Sequence, residues 1–238
     1  MRIGILATGI TPDELLGRYG SYADMFVELL GPQAHDYSIF DVRNGEFPAT
    51  PDRYDGWIIT GSKCGVYDDL PWMRTLKTLI LETYERGTPI VGICFGHQIV
   101  AAAFGARVAK YEGGWGVGLH SYVIEGEHGF LDDGERRFTL NAMHQDQVLE
   151  LPENARLFAT SEFCRYAGLV YDTRILTLQA HPEFNIAYER ELVQARRGVV
   201  VPEAVADKGL ATLTADAKTD SARVAQWMLR FLEQGQGR

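Results

Sequence analysis

The sequence predicts an α/β protein with a mostly parallel central sheet, flanked by helices and extended by added antiparallel strands. Three observations predict it. Short apolar runs at residues 3–8, 56–60 and 88–93 alternate with stretches whose large apolar residues recur at helical spacing. Their order up to residue 100 reads strand, helix, strand, strand, helix, strand, helix, which suits a parallel sheet covered on both faces. Beyond that, several short strand-like runs follow one another with only turns between them, which suits antiparallel additions.

Residues 3–8 read as a buried first strand, closed by the turn Gly9-Ile10-Thr11-Pro12. Tyr19, Tyr22, Phe26, Leu29 and Leu30 then mark one helix, and residues 37–42 a second strand. Residues 43–53 carry the proline, glycine and asparagine of a loop. Gly56-Trp57-Ile58-Ile59-Thr60 is a strand ending in Gly61-Ser62-Lys63. Trp72, Met73, Leu76, Leu79 and Ile80 give a helix face, with Asp68 or Asp69 as its cap and Gly87 at its end. The strand at 88–93 leads into Cys94. Residues 117–124, 138–141, 157–160 and 167–171 are the short strands of the middle, and 174–179 is a further strand ending at Ala180-His181-Pro182-Glu183. Residues 198–218 read as irregular, with Val199-Val200-Val201 open between strand and loop. Val224, Trp227, Met228, Phe231 and Leu232 define a last helix, and residues 233–238 a frayed end. One domain over 1–238, with a helical extension from about 184, accounts for the whole pattern.

Composition narrows the function. The 238 residues are 46% hydrophobic and 23% charged, as in globular proteins. The net charge of -9 argues against nucleic acid and anionic membranes as partners. Cys64, Cys94 and Cys164 are odd in number and widely spaced, which argues against a disulfide scaffold. No stretch resembles a signal peptide or reaches membrane-spanning length, so a cytoplasmic location is expected. His35, His97, His120, His128, His144 and His181 form no ligand cluster in sequence, and neither a metal nor a cofactor is expected. The run from Gly113 to Gly118 lacks the strand and helix of a dinucleotide loop. Asp132, Asp133 and Glu135 read as a surface turn, and residues 190–197 as a solvated helix face.

The chemistry sits at Gly92-Ile93-Cys94-Phe95-Gly96-His97-Gln98. A buried strand, then Gly-x-Cys-x-Gly, then a helix describes a nucleophile elbow, in which a tight turn exposes one side chain at the carboxyl edge of a sheet. A cysteine there meets a helix N-terminus, which favours the thiolate. Such a thiolate needs a base, and the base an orienting group. His181 ends a later strand, so it can reach the same edge, and Glu183 can accept a hydrogen bond from the imidazole nitrogen facing away from sulfur. Alone, each residue also fits a structural role; together they point to acyl transfer or amide cleavage.

Gly61-Ser62, the cysteine heptad and His181-Pro182-Glu183 resemble, in order and spacing across residues 50–190, the class I (triad, Cys-His-Glu) glutamine amidotransferases. Within these the chain is similar to stand-alone proteins related to the glutaminase domain of GMP synthase. The resemblance implies a flavodoxin-like fold, Cys94 as nucleophile, His181 as base and Glu183 as its orienter. It implies backbone N–H groups of Gly61 and Phe95 as the oxyanion hole, and Gln98, Gly114 and Trp115 as substrate-binding residues. Gly114 and Trp115 also read as a plain glycine-rich turn with a packing tryptophan. His97 is expected to support the elbow, and Lys63 and Cys64 to be structural or to line the substrate site. Gln145 stands where relatives carry a small residue between His144 and Asp146. The implied substrate is L-glutamine, cleaved through a γ-glutamyl thioester to ammonia and glutamate. The implied alternative is a stand-alone γ-glutamyl peptidase or transferase, and behind it a noncatalytic regulatory module. As partners, a homodimer stays open, as does a separate synthase or acceptor-binding subunit.

Overall fold

The computed structural model describes residues 1–131 and 134–235. Asp132 and Asp133 of the expected acidic turn, and Gln236, Gly237 and Arg238 of the expected frayed end, lie outside the described residues. The first apolar run forms β1 (Arg2–Ala7), with β2 (Asp36–Asp41) and β3 (Gly56–Ile59) parallel on its two sides. β4 (Ile90–Ile93) lies parallel to β3, and β11 (Ile175–Leu178) parallel to β4. Beyond β11 the pairing turns antiparallel through β10 (Gly168–Tyr171), β9 (Arg156–Thr160), β6 (Gly116–Ile124) and β7 (Arg137–His144). Among the described residues the sheet has nine strands in the order β2-β1-β3-β4-β11-β10-β9-β6-β7.

Alternation along the strands gives the sheet two apolar faces. Ile5, Ile58, Val91 and Ile93 pack with Phe26 of α2 (Tyr22–Leu30) and Trp227 of α7 (Ser221–Gln234). Trp57, Ile59 and Ile90 pack with Met73 and Leu76 of α3 (Pro71–Arg86) and Ile99 of α4 (Phe95–Ala103). Burial on both sides makes the central strands rigid platforms for whatever leaves their ends.

Several expectations change. The first predicted helix is two, α1 (Asp13–Tyr19) and α2, because Gly20 turns the chain at a φ of 73° and Ser21 opens a new capping box with Asp24. Neither aspartate caps α3. Leu70 takes that place with Pro71 behind it, while Asp68 accepts the Gly65 N–H at 3.0 Å in the preceding turn and Asp69 pairs with Arg74. Gly87 does end α3, at a φ of 80°. Two 3-10 turns, Val42–Asn44 and Pro51–Arg53, shape the expected loop. A second small sheet, which the sequence pattern does not predict, joins β5 (Val108–Lys110) to β8 (Asp146–Val148). The segment expected to be irregular contains α6 (Glu203–Thr212), which starts after Pro202.

The expected solvated tract belongs to α5 (Ile186–Arg196) and is solvated only in part. Leu192 and Val193 are buried, and Arg190 donates to the Leu213 carbonyl. Arg197 pairs with Asp207 at 2.7 Å and Glu203 at 2.9 Å, tying the end of α5 to α6.

The turn between β4 and α4 is the most constrained backbone. Cys94 has φ 54° and ψ -102°, a region L-residues seldom enter. A Cβ on Gly92 would lie 2.7 Å from the Gly96 carbonyl oxygen, and one on Gly96 would lie 2.4 Å from the Ile59 carbonyl oxygen. Only glycines let the helix start this close to its strands.

Glu189 on α5 is fully buried, and its Oε1 accepts the Gly118 N–H at 3.3 Å. Burial pushes its pKa up from 4.5 to about 8, with a raising contribution from Glu183, against the pull of His181 and of the Gly118 N–H. The folded protein therefore holds this carboxyl neutral at pH 7, and binds a proton there that the unfolded chain releases. The sign follows: this group's contribution to stability is full below pH 4.5, falls as pH rises toward about 8, and is level above. In urea unfolding across that interval, Glu189→Gln is expected to gain stability relative to the native chain as pH rises. Parallel profiles for the two proteins would contradict a neutral buried Glu189.

Candidate active site

β3, β4 and β11 are parallel neighbours, so their carboxyl ends open on one edge of the sheet. The loops leaving them bring Gly61, Cys94 and His181 together. A Cβ placed on Gly61 would lie 3.1 Å from His181 Cε1 and 3.7 Å from Cys94 Cβ. The Cys94 N–H donates to the Leu178 carbonyl at 2.8 Å, which fixes the elbow to the strand that carries the histidine.

His181 is held from three sides. Its N–H donates to the Asn141 carbonyl at 2.9 Å, and Asn141 Nδ2 donates to the Phe184 carbonyl at 2.7 Å. The Phe184 ring stacks on the imidazole with centroids 4.0 Å apart. Nδ1 bonds Glu183 Oε1 at 2.8 Å, leaving Nε2 for the sulfur. Both side chains are almost wholly buried. Burial works against charge on His181, but the charges of Cys94 and Glu183 and the hydrogen bonds to both outweigh it, and its pKa rises well above the ordinary imidazole value. The geometry thus favours an imidazolium between a sulfur and a carboxylate.

The two residues expected as oxyanion donors flank Cys94: Gly61 faces Cys94 Cβ and the His181 ring, and Phe95 follows Cys94 as the first residue of α4. The first N–H groups of a helix, that of Phe95 among them, have no intrahelical acceptor. Gln98 reaches the same space, but its amide nitrogen is taken, by the Asp146 carbonyl at 2.9 Å and Gln179 Oε1 at 3.1 Å. Trp115 lines the cavity, and Gly114 precedes it at a φ of 87°. His97 is fully buried, bonds Thr177 Oγ1 at 2.8 Å, and is pushed by burial down to about 3. That neutral ring supports the elbow, as its place in the sequence suggests.

Sequence reasoning missed Gln179. Its Nε2 donates to Cys94 Sγ at 3.6 Å, while its Oε1 accepts from Gln98. The available signal was spacing: two residues before His181 on an extended chain means the same face. Tyr22, at the start of α2, is marked by sequence spacing only as a helix-face residue. It lines the cavity, its ring lies 5.6 Å from Phe184, and burial raises its phenol to about 12.

The cavity over Cys94 and His181 has a volume of about 610 Å³. Lys63 and Cys64 line it from the loop after β3, Gln145 from between β7 and β8, and Asp146 from the first position of β8. Asp146 is tied to Tyr67, whose hydroxyl donates to Oδ1 at 3.3 Å. Cys164 is a buried thiol pushed up to about 12 by burial, away from any thiolate chemistry. Among the described residues no three His, Cys, Asp or Glu side chains gather so as to hold a metal ion, and no helix is long and apolar enough to cross a membrane.

Comparison with known proteins agrees with this geometry. The family model for glutamine amidotransferase class-I matches residues 16–196. Gamma-glutamyl peptidase 3 of Arabidopsis thaliana is 32% identical over 204 residues, covering 82% of each chain. A glutamine-hydrolysing GMP synthase subunit of Methanocaldococcus jannaschii is 33% identical over 126 residues, covering 52% of this chain and 66% of the other. A glutamine amidotransferase structure from Thermotoga maritima superposes with a TM-score of 0.77 at 21% identity, over 100% of this chain and 99% of that one. The parallel sheet, the cysteine elbow at its edge and these matches lead to one conclusion: the chain belongs to the class I glutamine amidotransferase family of cysteine-dependent, amide-cleaving enzymes.

Proposed function

We propose that this protein hydrolyses the amide bond of γ-glutamyl peptides through Cys94, His181 and Glu183. The size of the cavity carries the choice of substrate. At about 610 Å³ it is in the range of clefts that enclose ligands much larger than free glutamine. The likeness to the gamma-glutamyl peptidases over most of the chain supports the same choice. Hydrolysis of glutamine to supply ammonia to a separate synthase is the second reading, favoured by the shorter match to the GMP synthase glutaminase.

In the proposed reaction, the Cys94 thiolate adds to the γ-carbonyl carbon. The oxygen that gains charge lies between the N–H groups of Gly61 and Phe95, donors of a kind commonly worth about 3 kcal/mol each. His181 gives its Nε2 proton to the amide nitrogen, the C–N bond breaks, and the amine leaves. A γ-glutamyl thioester remains on Cys94. Water then adds, losing a proton to His181, and the C–S bond breaks to release glutamate and restore the thiolate. Glu183 holds the ring in the orientation both transfers need. Gln179 sets the sulfur's position through its hydrogen bond.

Amine release from γ-glutamyl dipeptides and ammonia release from L-glutamine, each followed with native protein and with Cys94→Ala, test the proposal. Turnover of the dipeptides that vanishes in Cys94→Ala is expected; turnover that survives the substitution refutes the nucleophile, and turnover of glutamine alone favours the second reading. Loss of the base should show in the free enzyme too. With a small alkylating agent at pH 7, His181→Ala should slow modification of Cys94 at least ~10-fold. Equal rates would mean that the pair is not formed without substrate.

A further inference from the structure

We propose that Arg196 binds the carboxylate of the leaving amine, so that the enzyme selects γ-glutamyl compounds whose leaving group is an amino acid. This rests on the γ-glutamyl peptide reading above. The general acid fixes the direction of the leaving group, because His181 must deliver its proton to the departing nitrogen. From His181 the wall of the cavity continues through Phe184, stacked on the imidazole, to Tyr22, whose ring lies 5.6 Å from Phe184. Arg196, at the end of α5, lines the same cavity, and its charge acts on the Tyr22 phenol.

Arg196 differs from its neighbours in being uncommitted. Arg190 is spent on the Leu213 carbonyl and Arg197 on Asp207 and Glu203. Among the described residues, no carboxylate lies within ion-pairing distance of Arg196, although it is half-buried. A guanidinium partly withdrawn from water beside a cavity gains most from a planar anion that fits its fork of donors, and a carboxylate is that anion. Its backbone is also fixed. The Arg196 carbonyl accepts the N–H groups of Val199, Val200 and Val201, each at 3.1 Å, which folds the following turn back against it. Val200 joins Leu192 on the cavity wall there, an apolar rim suited to the side chain of the same leaving amino acid. The acids that line the cavity, Asp68 and Asp146, are held elsewhere: Asp68 by the Gly65 N–H and Asp146 by Tyr67.

The test compares two substrates that differ only in charge, γ-glutamylglycine and its C-terminal amide, γ-glutamylglycinamide. For native protein, kcat/KM is expected to be about 10-fold higher for the free acid, mainly through KM. Arg196→Gln should bring the ratio close to one, and Arg196→Lys should restore part of it, because a point charge replaces the fork. Thermal unfolding of each variant confirms that the fold is kept. A ratio unchanged in Arg196→Gln, or near one in the native protein, overturns the inference while leaving the peptidase reading intact. Native protein that cleaves neither compound overturns both, and that failure is distinguishable because it appears before any substitution at Arg196.

Discussion

At Cys94 the chain passes from strand to helix through a positive φ of 54°, and most of the site follows from that turn. The strain is held because Gly92 and Gly96 allow α4 to press against β3 and β4, and because the Cys94 N–H is bonded to β11. The turn lifts the thiol above the sheet edge at the mouth of the helix. The parallel neighbours bring the other groups to the same edge: β3 leads to the Gly61 backbone, β11 to His181. Strands buried on both faces hold the groups that leave their ends in fixed positions.

Around that turn the protein arranges two kinds of polar group differently. His181, Glu183 and Gln179 are buried but bonded to one another or to the sulfur, so that charge is stabilised where it is used. His97 and Glu189 are buried where charge has little support, and burial keeps both neutral at pH 7. The first set is proposed to do chemistry. The second holds α4, α5 and β6 in place behind it, through His97 to Thr177 and Glu189 to Gly118. The C-terminal region then lines one side of the cavity with Leu192 and Arg196 of α5 and with Val200, where the choice of leaving group is proposed to be made.

The parts of this arrangement that were legible in the sequence are those encoded by neighbours along the chain. The elbow is a local pattern of apolar strand, paired glycines and helix, and the His-Pro-Glu run ends a strand in the same way. The extra break at Gly20 was not legible, because Tyr19 and Tyr22 keep helical spacing across it. Asp68 reads as a helix cap but serves the turn before the helix, where it accepts the Gly65 N–H. β5 and β8 are three residues each, too short for a periodic signal, and α6 follows a proline within a segment of mixed polarity. Glu189 lies among charged residues that suggest solvent. Only the packing of α5 against β6 shows that it faces inward. Likewise Arg190, Arg196 and Arg197, in and just after α5, are indistinguishable in sequence, and the fold alone commits two of them and leaves Arg196 at the cavity.

Everything proposed for the chemistry depends on a resting site that holds His181 as an imidazolium between Cys94 and Glu183 before substrate arrives. An NMR titration of the His181 ring nitrogens, in native protein and in Cys94→Ala, measures this directly. The predicted result is a protonated ring that persists well above the ordinary value of 6.5, and a clear fall in that pKa when the sulfur is removed. A ring that titrates near 6.5 in both proteins would contradict it.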